Sequence, residues 1–479
     1  MADLHDLSAL EQAGAIRRRE VSSAELVDHY LARIEAHGDT VGAFVTVTAD
    51  QARAQAKAAD GVPDEQRAPL HGVPTAIKDL TMTAGVRTTF GSAAFAEYIP
   101  PVDADVVALL RAAGTISLGK TTTSELGISL YSEGKVAPPA RNPWGLEYTA
   151  GGSSGGAAAA VAAGLVPFAQ GSDGGGSVRI PAALCGLVGF KPTRGVVSTG
   201  PFGFGAFGLP TPGPLARTVT DAAAMLDAMA VRLPGEPYLA TPPPEDGYLA
   251  AAQRPGPPLR VGRFTTPMLA ADQTVDPACV DAVDIVAAAL AGAGHEVIDI
   301  MSPLGPDVWP LFETIWYVLA LAPVPPDRES ELLPLTRLMR ERGAAVTVPQ
   351  LMSTLSEIQV QVRSGMRAVA GYDLLLCPTL AMPQARVGSF TEAGDPALDF
   401  DMQRRFSPYC AVFNVTGQPS LSLPVPRAEG MPVGVLLSGR PGADGALLAA
   451  AAELESSLGW GDRHPEIWRA TPSATVNGV

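Results

Sequence analysis

Short apolar runs of strand length alternate with helical runs along most of this chain, and that alternation restricts the fold more than any other feature. "GVPTAIKDL" (72–80) reads as a strand with Lys78 at or just past its end. The helix "DADVVALLRAAG" and the strand "TISLGKT" follow, with Gly114 as the stop between them. "GGAAAAVAAGLV" reads as a helix whose small side chains demand a close neighbour, and "VPFAQGSD" as a strand running into a glycine loop. "TVTDAAAMLDAMA" is another helix. The pattern resumes with strand "LRVGRF", helix "PACVDAVDIVAAALAGAG" and strand "HEVIDI". Later, "YDLLLCPTL" and "MPVGVLLSGR" look like buried strands and "ADGALLAAAAELESSLG" like a closing helix. Such alternation predicts an α/β fold: a central twisted mixed β-sheet covered by helices on both faces.

Two helices lead into this pattern. "SSAELVDHYLARIEAHG" opens with Ser22 and Glu25 at capping-box spacing, and Gly38 is its expected end. A second helix is expected over 49–60. Residues 233–258, rich in Pro, Gly and acids, read as a surface excursion, and 300–370 as mostly helical. With 479 residues, 47% of them hydrophobic, the chain has enough apolar material for a large core. No internal repeat or long linker divides it. The expected organisation is one domain over 1–479: N-terminal helices over 1–65, a core over 66–230, the excursion, and a variable insert over 300–370.

Charge and cysteine usage exclude several functions. The net charge of −15, from 34 basic and 49 acidic residues with no polybasic stripe, speaks against a nucleic-acid surface. Cys185, Cys279, Cys377 and Cys410 are scattered, so neither a zinc site nor a disulfide framework is expected, and they read as small buried apolar groups. "MADLHDLSALEQAGAIRRRE" is too polar for a signal peptide, and "AAAAVAAGLVPFA" too short to span a bilayer. A soluble cytoplasmic protein without membrane partners is the expectation.

Three glycine patterns compete for the chemistry. "GFGAFG" (203–208) is a formal GxGxxG, but "LPTPGP" follows it, and prolines there cannot open the helix that a dinucleotide loop needs. "GGSSGG" (151–156) satisfies G-x-S-x-G at both Ser153 and Ser154. A nucleophile elbow needs a strand before it and a catalytic His after it. "ARNPWGLEYTA" is a poor strand, and only His295 and His464 follow, neither in a promising context. "GSDGGGS" (171–177) can turn a row of backbone N–H groups inward, as an oxyanion hole requires, and places Ser177 beside that row. By itself such a loop is better read as a plain glycine-rich turn. A lysine can replace the missing histidine as base if burial lowers its pKa, and Lys78 lies in apolar surroundings, although most lone lysines are solvated surface groups.

Taken together, these residues carry a resemblance. "GGSSGGAAAAVAAGLVPFAQGSDGGGSVRIPAALCGLVGFKPTRG" is similar to the signature of the amidase signature family. The likeness continues upstream through "HGVPTAIKDLTMTAGVRTTFGS" and "DADVVALLRAAGTISLGKTTTSELG". Downstream it includes "GPLARTVTDAAAMLD", "YDLLLCPTLAMP" and "FNVTGQPSLSLPVP", in the family's order. It implies a large single-domain amidase signature fold and a Ser–cisSer–Lys triad. By motif position Ser177 is the nucleophile, Ser153, after a cis Gly152–Ser153 peptide, the bridging serine, and Lys78 the base. The N–H groups of Gly174, Gly175, Gly176 and Ser177 form the implied oxyanion hole, with Asp173 and Arg179 as loop supports.

The implied activity is hydrolysis of a linear carboxamide through an acyl-enzyme, without metal or cofactor. The substrate is a small-molecule amide, and a homodimer is compatible with this reading. The resemblance also reaches the glutaminase (A) component of glutamyl-tRNA(Gln) amidotransferase. That component carries an Asp, used to hold glutamine, seven residues before the Asn of "NxxGxP"; counting back from Asn414 gives Ser407. A catalytically dead scaffold is disfavoured because all three triad positions are filled. Family likeness brings "GISLY" (127–131) beside the triad, so Ser129 and Tyr131 are pocket candidates. Trp316 and Tyr317 in the insert are others, with ordinary core packing as the competing reading. No Arg pair is evident to grip a carboxylate, so an apolar or aromatic acyl group is expected.

Overall fold

The computed structural model describes residues 3–202, 206–239, 241–426 and 430–470. Its strands are β1 Phe44–Val47, β2 Pro74–Lys78, β3 Ile116–Thr121, β4 Arg141–Asn142, β5 Gly145–Thr149, β6 Phe168–Asp173 and β7 Val188–Lys191. Then come β8 Thr211–Ala216, β9 Arg260–Arg263, β10 Glu296–Asp299, β11 Leu374–Pro378, β12 Ser420–Val425 and β13 Val433–Gly439. Eleven of these form one mixed sheet in the order β1-β3-β2-β6-β8-β7-β12-β13-β11-β9-β10, and β4 and β5 form a separate pair. β2 runs parallel to both β3 and β6, and the middle of the sheet from β6 to β11 is antiparallel. Every residue of β2, β8, β12 and β13 is buried. A strand buried without alternation is covered on both faces, which is the expected arrangement.

The helix predicted from residue 22 has its capping box: Ser22 accepts from Glu25 N, and Ser22 N–H donates back to the Glu25 side chain. It does not end at Gly38. It continues to Val41, whose fully buried side chain rewards another turn, and Gly42 closes it at φ 59°. The second helix covers Ala49–Asp60 as expected. Residues 300–370 hold helices Val308–Leu319, Pro334–Ala345 and Val348–Ala368.

One local reading needs correction. "ARNPWGLEYTA" is not strand-poor: it makes the β4–β5 hairpin, Asn142 turning the chain by accepting Trp144 N–H at 3.1 Å. "TPGPLA" is strand β8 despite its prolines. Pro212 and Pro214 are two residues apart, so both missing donors face one edge. β7 pairs only with Leu215 and Ala216, leaving the proline positions open on its side. In the GxGxxG segment, residues 203–205 lie outside the described residues. Ala206–Gly208 is a single turn leading into β8, so a strand comes next where a dinucleotide loop needs a helix. The 233–258 excursion is largely exposed and contains one short helix, Gly247–Ala252; residue 240 lies outside the described residues. All four cysteines are buried and free. Among the described residues no helix is long and apolar enough to cross a membrane.

The small-residue helix Gly155–Ala162 is buried at every position. Its closest approach is at Gly156, where a Cβ would stand 2.3 Å from Thr122 N and 2.5 Å from Ala43 O. Both are backbone atoms and cannot rotate away. Gly156→Ala is expected to destabilise the fold by about 1–3 kcal/mol, the usual cost of overpacking, read as a lowered midpoint in urea or thermal unfolding. An unchanged midpoint would show that the helix can shift.

Candidate active site

β2 ends on Lys78 in the interior of the sheet, and the side chain is fully buried. Its backbone N–H donates to Gln170 Oε1 on the parallel neighbour β6 at 3.1 Å. The ammonium donates to Ser153 Oγ at 2.7 Å and to Ser172 O at 3.0 Å. Burial pushes its pKa from 10.5 down to about 7, although the nearby Asp173 charge acts in the opposite direction. Lys78 is thus poised to be neutral near pH 7. The Gly152–Ser153 peptide is cis. Ser154, the other G-x-S-x-G match, links the two glycine loops: its N–H donates to Ser177 O at 3.1 Å and its hydroxyl to Ser172 O at 3.3 Å.

β6 delivers the second loop. Asp173 is its last residue, and its carboxylate organises the glycine turn beyond it. Oδ1 accepts from Gly176 N at 2.8 Å, Arg179 Nη2 at 2.7 Å and Asn414 Nδ2 at 2.9 Å. Oδ2 accepts from Val178 N at 3.1 Å and Arg179 Nε at 2.9 Å. The Arg179 guanidinium extends to Cys410 O, Ser420 Oγ and Asn414 Oδ1. Both members of this ion pair are fully buried. Burial pushes the Asp173 carboxyl up, but the Arg179 charge and the converging donors outweigh it and hold the group below the ordinary carboxylate range. Asp173 and Arg179 thus hydrogen-bond across the glycine loop and tie it to Asn414. Asn414, which the sequence offered only as a motif letter, is a third support. The N–H of Gly176, one of the four expected oxyanion donors, is directed at Asp173 Oδ1.

Ser177 opens onto a cavity of about 60 Å3. Ser129 and Trp316 line it, with Trp309, Phe312 and Phe400 completing an aromatic wall. Trp316 stacks on Phe312 with centroids 5.2 Å apart. The other two pocket candidates are elsewhere. Tyr317 does not line the cavity: it packs with Leu335 and Met339 behind the wall, its ring centroid 5.9 Å from that of Phe400. Tyr131 turns away, donating to Asp399 Oδ2 at 2.6 Å, and borders a neighbouring cavity of about 340 Å3 that touches none of Lys78, Ser153 and Ser177. Gln403, Arg404 and Ser407 also line the Ser177 cavity and come from the region of helix Pro396–Phe406. Apolar periodicity does not single out that helix, although Asp395 as N-cap and Pro396 at its first position are start signals. His295 accepts from Leu259 N and His464 stacks on Trp468; neither lines the cavity. Among the described residues no group of His, Cys, Asp or Glu gathers as a metal-binding set.

A family model described as Amidase matches residues 25–448. The chain belongs to the amidase family. Its relatives include a putative amidase of Synechocystis sp., 37% identical over 96% of this chain and 90% of the relative. The A component of the glutamyl-tRNA(Gln) amidotransferase of Moorella thermoacetica is 35% identical over 97% of this chain and 99% of that one. Among solved structures, 6-aminohexanoate cyclic dimer hydrolase complexed with substrate superposes with a TM-score of 0.90 at 31% identity, covering 97% of this chain and 100% of the other. These likenesses make this amidase-family chain a C–N hydrolase of the same α/β architecture.

Removing one member of the buried ion pair leaves the other charge uncompensated. Arg179→Ala is expected to cost about 3–5 kcal/mol of stability and to abolish turnover as the loop loosens. The checks are a denaturation curve and an amide hydrolysis assay; wild-type stability in the variant would mean that the pair does not support the fold.

Proposed function

We propose that this enzyme hydrolyses a linear carboxamide to a carboxylic acid and ammonia or an amine, with Ser177 as nucleophile, Ser153 as proton bridge and Lys78 as base. The observation that carries the proposal is the 2.7 Å hydrogen bond between a fully buried Lys78 and Ser153, beside the loop bearing Ser177. Neutral Lys78 accepts the Ser153 proton and Ser153 accepts that of Ser177 as its Oγ bonds to the carbonyl carbon. The N–H groups of Gly174, Gly175 and Ser177 hold the oxyanion, which is the largest electrostatic contribution in such sites. On collapse the C–N bond breaks, and Ser153 passes the proton to the leaving nitrogen. Water then adds to the acyl-enzyme through the same relay, releasing the acid and restoring Ser177.

An apolar, flat acyl group suits the cavity. Trp309, Phe312, Trp316 and Phe400 supply apolar surface, and the one guanidinium lining it, that of Arg404, is held by Asp401 at 2.6 Å. A charged acyl group would meet no unpaired cation among these lining residues. The alternative is the glutaminase role of an amidotransferase component. There an acid is expected at the position of Ser407, which is buried beside the same cavity and carries no charge.

Ser177→Ala and Lys78→Ala are each expected to abolish hydrolysis and Ser153→Ala to reduce it severely, with fluorophosphonate labelling at Ser177. A label found on Ser153 or Ser154 would overturn the assignment. Because the active form of Lys78 is neutral, kcat/KM is expected to rise through about pH 7 and then level. Stability follows the same sign: an exposed lysine keeps its proton to about 10.5, so between about 7 and 10.5 the unfolded chain binds more protons and stability rises with pH. Aromatic primary amides are expected to exceed charged ones and glutamine in kcat/KM, and the reverse order would reject the acyl-group reading.

A further inference from the structure

Ser153 is held from two sides. Its hydroxyl meets Lys78, and its backbone is gripped by a residue outside the triad. Ser132 Oγ donates to Ser153 O at 3.1 Å and accepts the Gly155 N–H at 3.1 Å. One fully buried hydroxyl therefore bridges both ends of the turn that presents Ser153. The residues before Ser132 press on the same turn: a Cβ on Gly152 would stand 2.7 Å from Tyr131 N and 2.8 Å from Leu130 C. Only glycine lets the two backbones approach this closely.

This segment is itself anchored to helix Pro396–Phe406. Leu130 N–H donates to Gln403 Oε1 at 2.9 Å, and Tyr131 OH donates to Asp399 Oδ2 at 2.6 Å. Gln403 Nε2 donates to Asp399 Oδ1 at 2.7 Å, joining the two anchors. Gln403 also lines the Ser177 cavity. A hydrogen-bonded path thus runs from the cavity, through Gln403 and the 130–132 segment, to the two peptide bonds that follow Ser153.

We propose that Leu130–Ser132 is a latch that sets the aim of Ser153, with Ser132 as its positioning residue. The inference rests on the proposed Ser177–Ser153–Lys78 relay. A bridging serine must face two partners, the Lys78 nitrogen and the Ser177 oxygen, and proton transfer tolerates little misalignment in either. A displacement of about 1 Å in a reacting group can cost on the order of 100-fold in rate. Nothing in the hydroxyl's own chemistry is needed beyond its two hydrogen bonds, which is why Ser132 acts through Ser153.

A role confined to stability would affect all substrates alike, whereas a role in aiming the relay would not. Cleaving an amide requires Ser153 to return a proton to the leaving nitrogen. A p-nitrophenyl ester of the same aromatic acid expels a stable phenolate and skips that transfer. Ser132→Ala is therefore expected to lower kcat/KM for the amide by on the order of 100-fold and for the ester by about tenfold. Ser132→Thr, which keeps the hydroxyl, should bring the amide-to-ester ratio back toward wild type. Tyr131→Phe, which frees one anchor while leaving the ring stacked on Phe390, should shift the ratio the same way by less, and carries the readout if Ser132→Ala does not fold. Equal losses on both substrates, or a wild-type ratio in both variants, would overturn the latch. Wild-type enzyme that cleaves neither substrate while these variants behave identically would instead remove the hydrolase reading, and the latch with it.

Discussion

The site depends on keeping two opposite charges from meeting. Asp173 and Lys78 stand at the ends of adjacent strands, and an unshared Asp173 carboxylate would hold a proton on Lys78. Arg179 prevents this by taking the carboxylate itself, in a buried pair that Asn414 and the loop N–H groups complete. The lysine is left with Ser153 Oγ and a carbonyl as partners, and burial moves it toward neutrality. A buried ion pair is a poor source of stability in general. Here it has a second effect, since the same carboxylate folds the glycine loop by accepting from Gly176 and Val178.

The other constraint is how closely backbones approach. The helix after Ser153 can lie against the Thr122 and Ala43 backbone only because residue 156 has no side chain, and the 130–131 backbone can reach the turn only because residue 152 has none. Strand, helix and loop are thereby brought within hydrogen-bond distance of one another. The Ser154 N–H also bonds Ser177 O, tying the two serine loops together.

Much of this was legible in the residues. Apolar runs located β2, β3, β6, β11 and β13, because strands buried on both faces need continuous hydrophobic sequence, and the strand–helix–strand alternation located β9 and β10 at the less buried edge. Strand β8 was not legible, since its prolines look prohibitive until one sees that β7 does not pair there. The positions of Lys78, Asp173 and Arg179 followed from local order and motif. The pocket did not. Trp316 and Tyr317 are neighbours on one helix, and only the direction of that helix decides that the first lines the cavity and the second packs against Leu335 and Met339. Tyr131 escapes a local reading for a related reason: its hydroxyl finds Asp399, 268 residues away.

By itself the sequence determined what depends on local chemistry: an α/β fold, glycine loops able to present N–H donors, two serines and a lysine in apolar surroundings, and no histidine suited to replace that lysine. Tertiary structure decided what depends on distant partners. It assigned the Gly176 N–H to Asp173, gave Ser132 the Ser153 carbonyl to hold, and closed the cavity with residues from helix Pro396–Phe406. The reason is physical. A side chain's conformational preference and burial tendency are written in its neighbours along the chain, but its hydrogen-bond partner is whichever group the packed elements bring within about 3 Å.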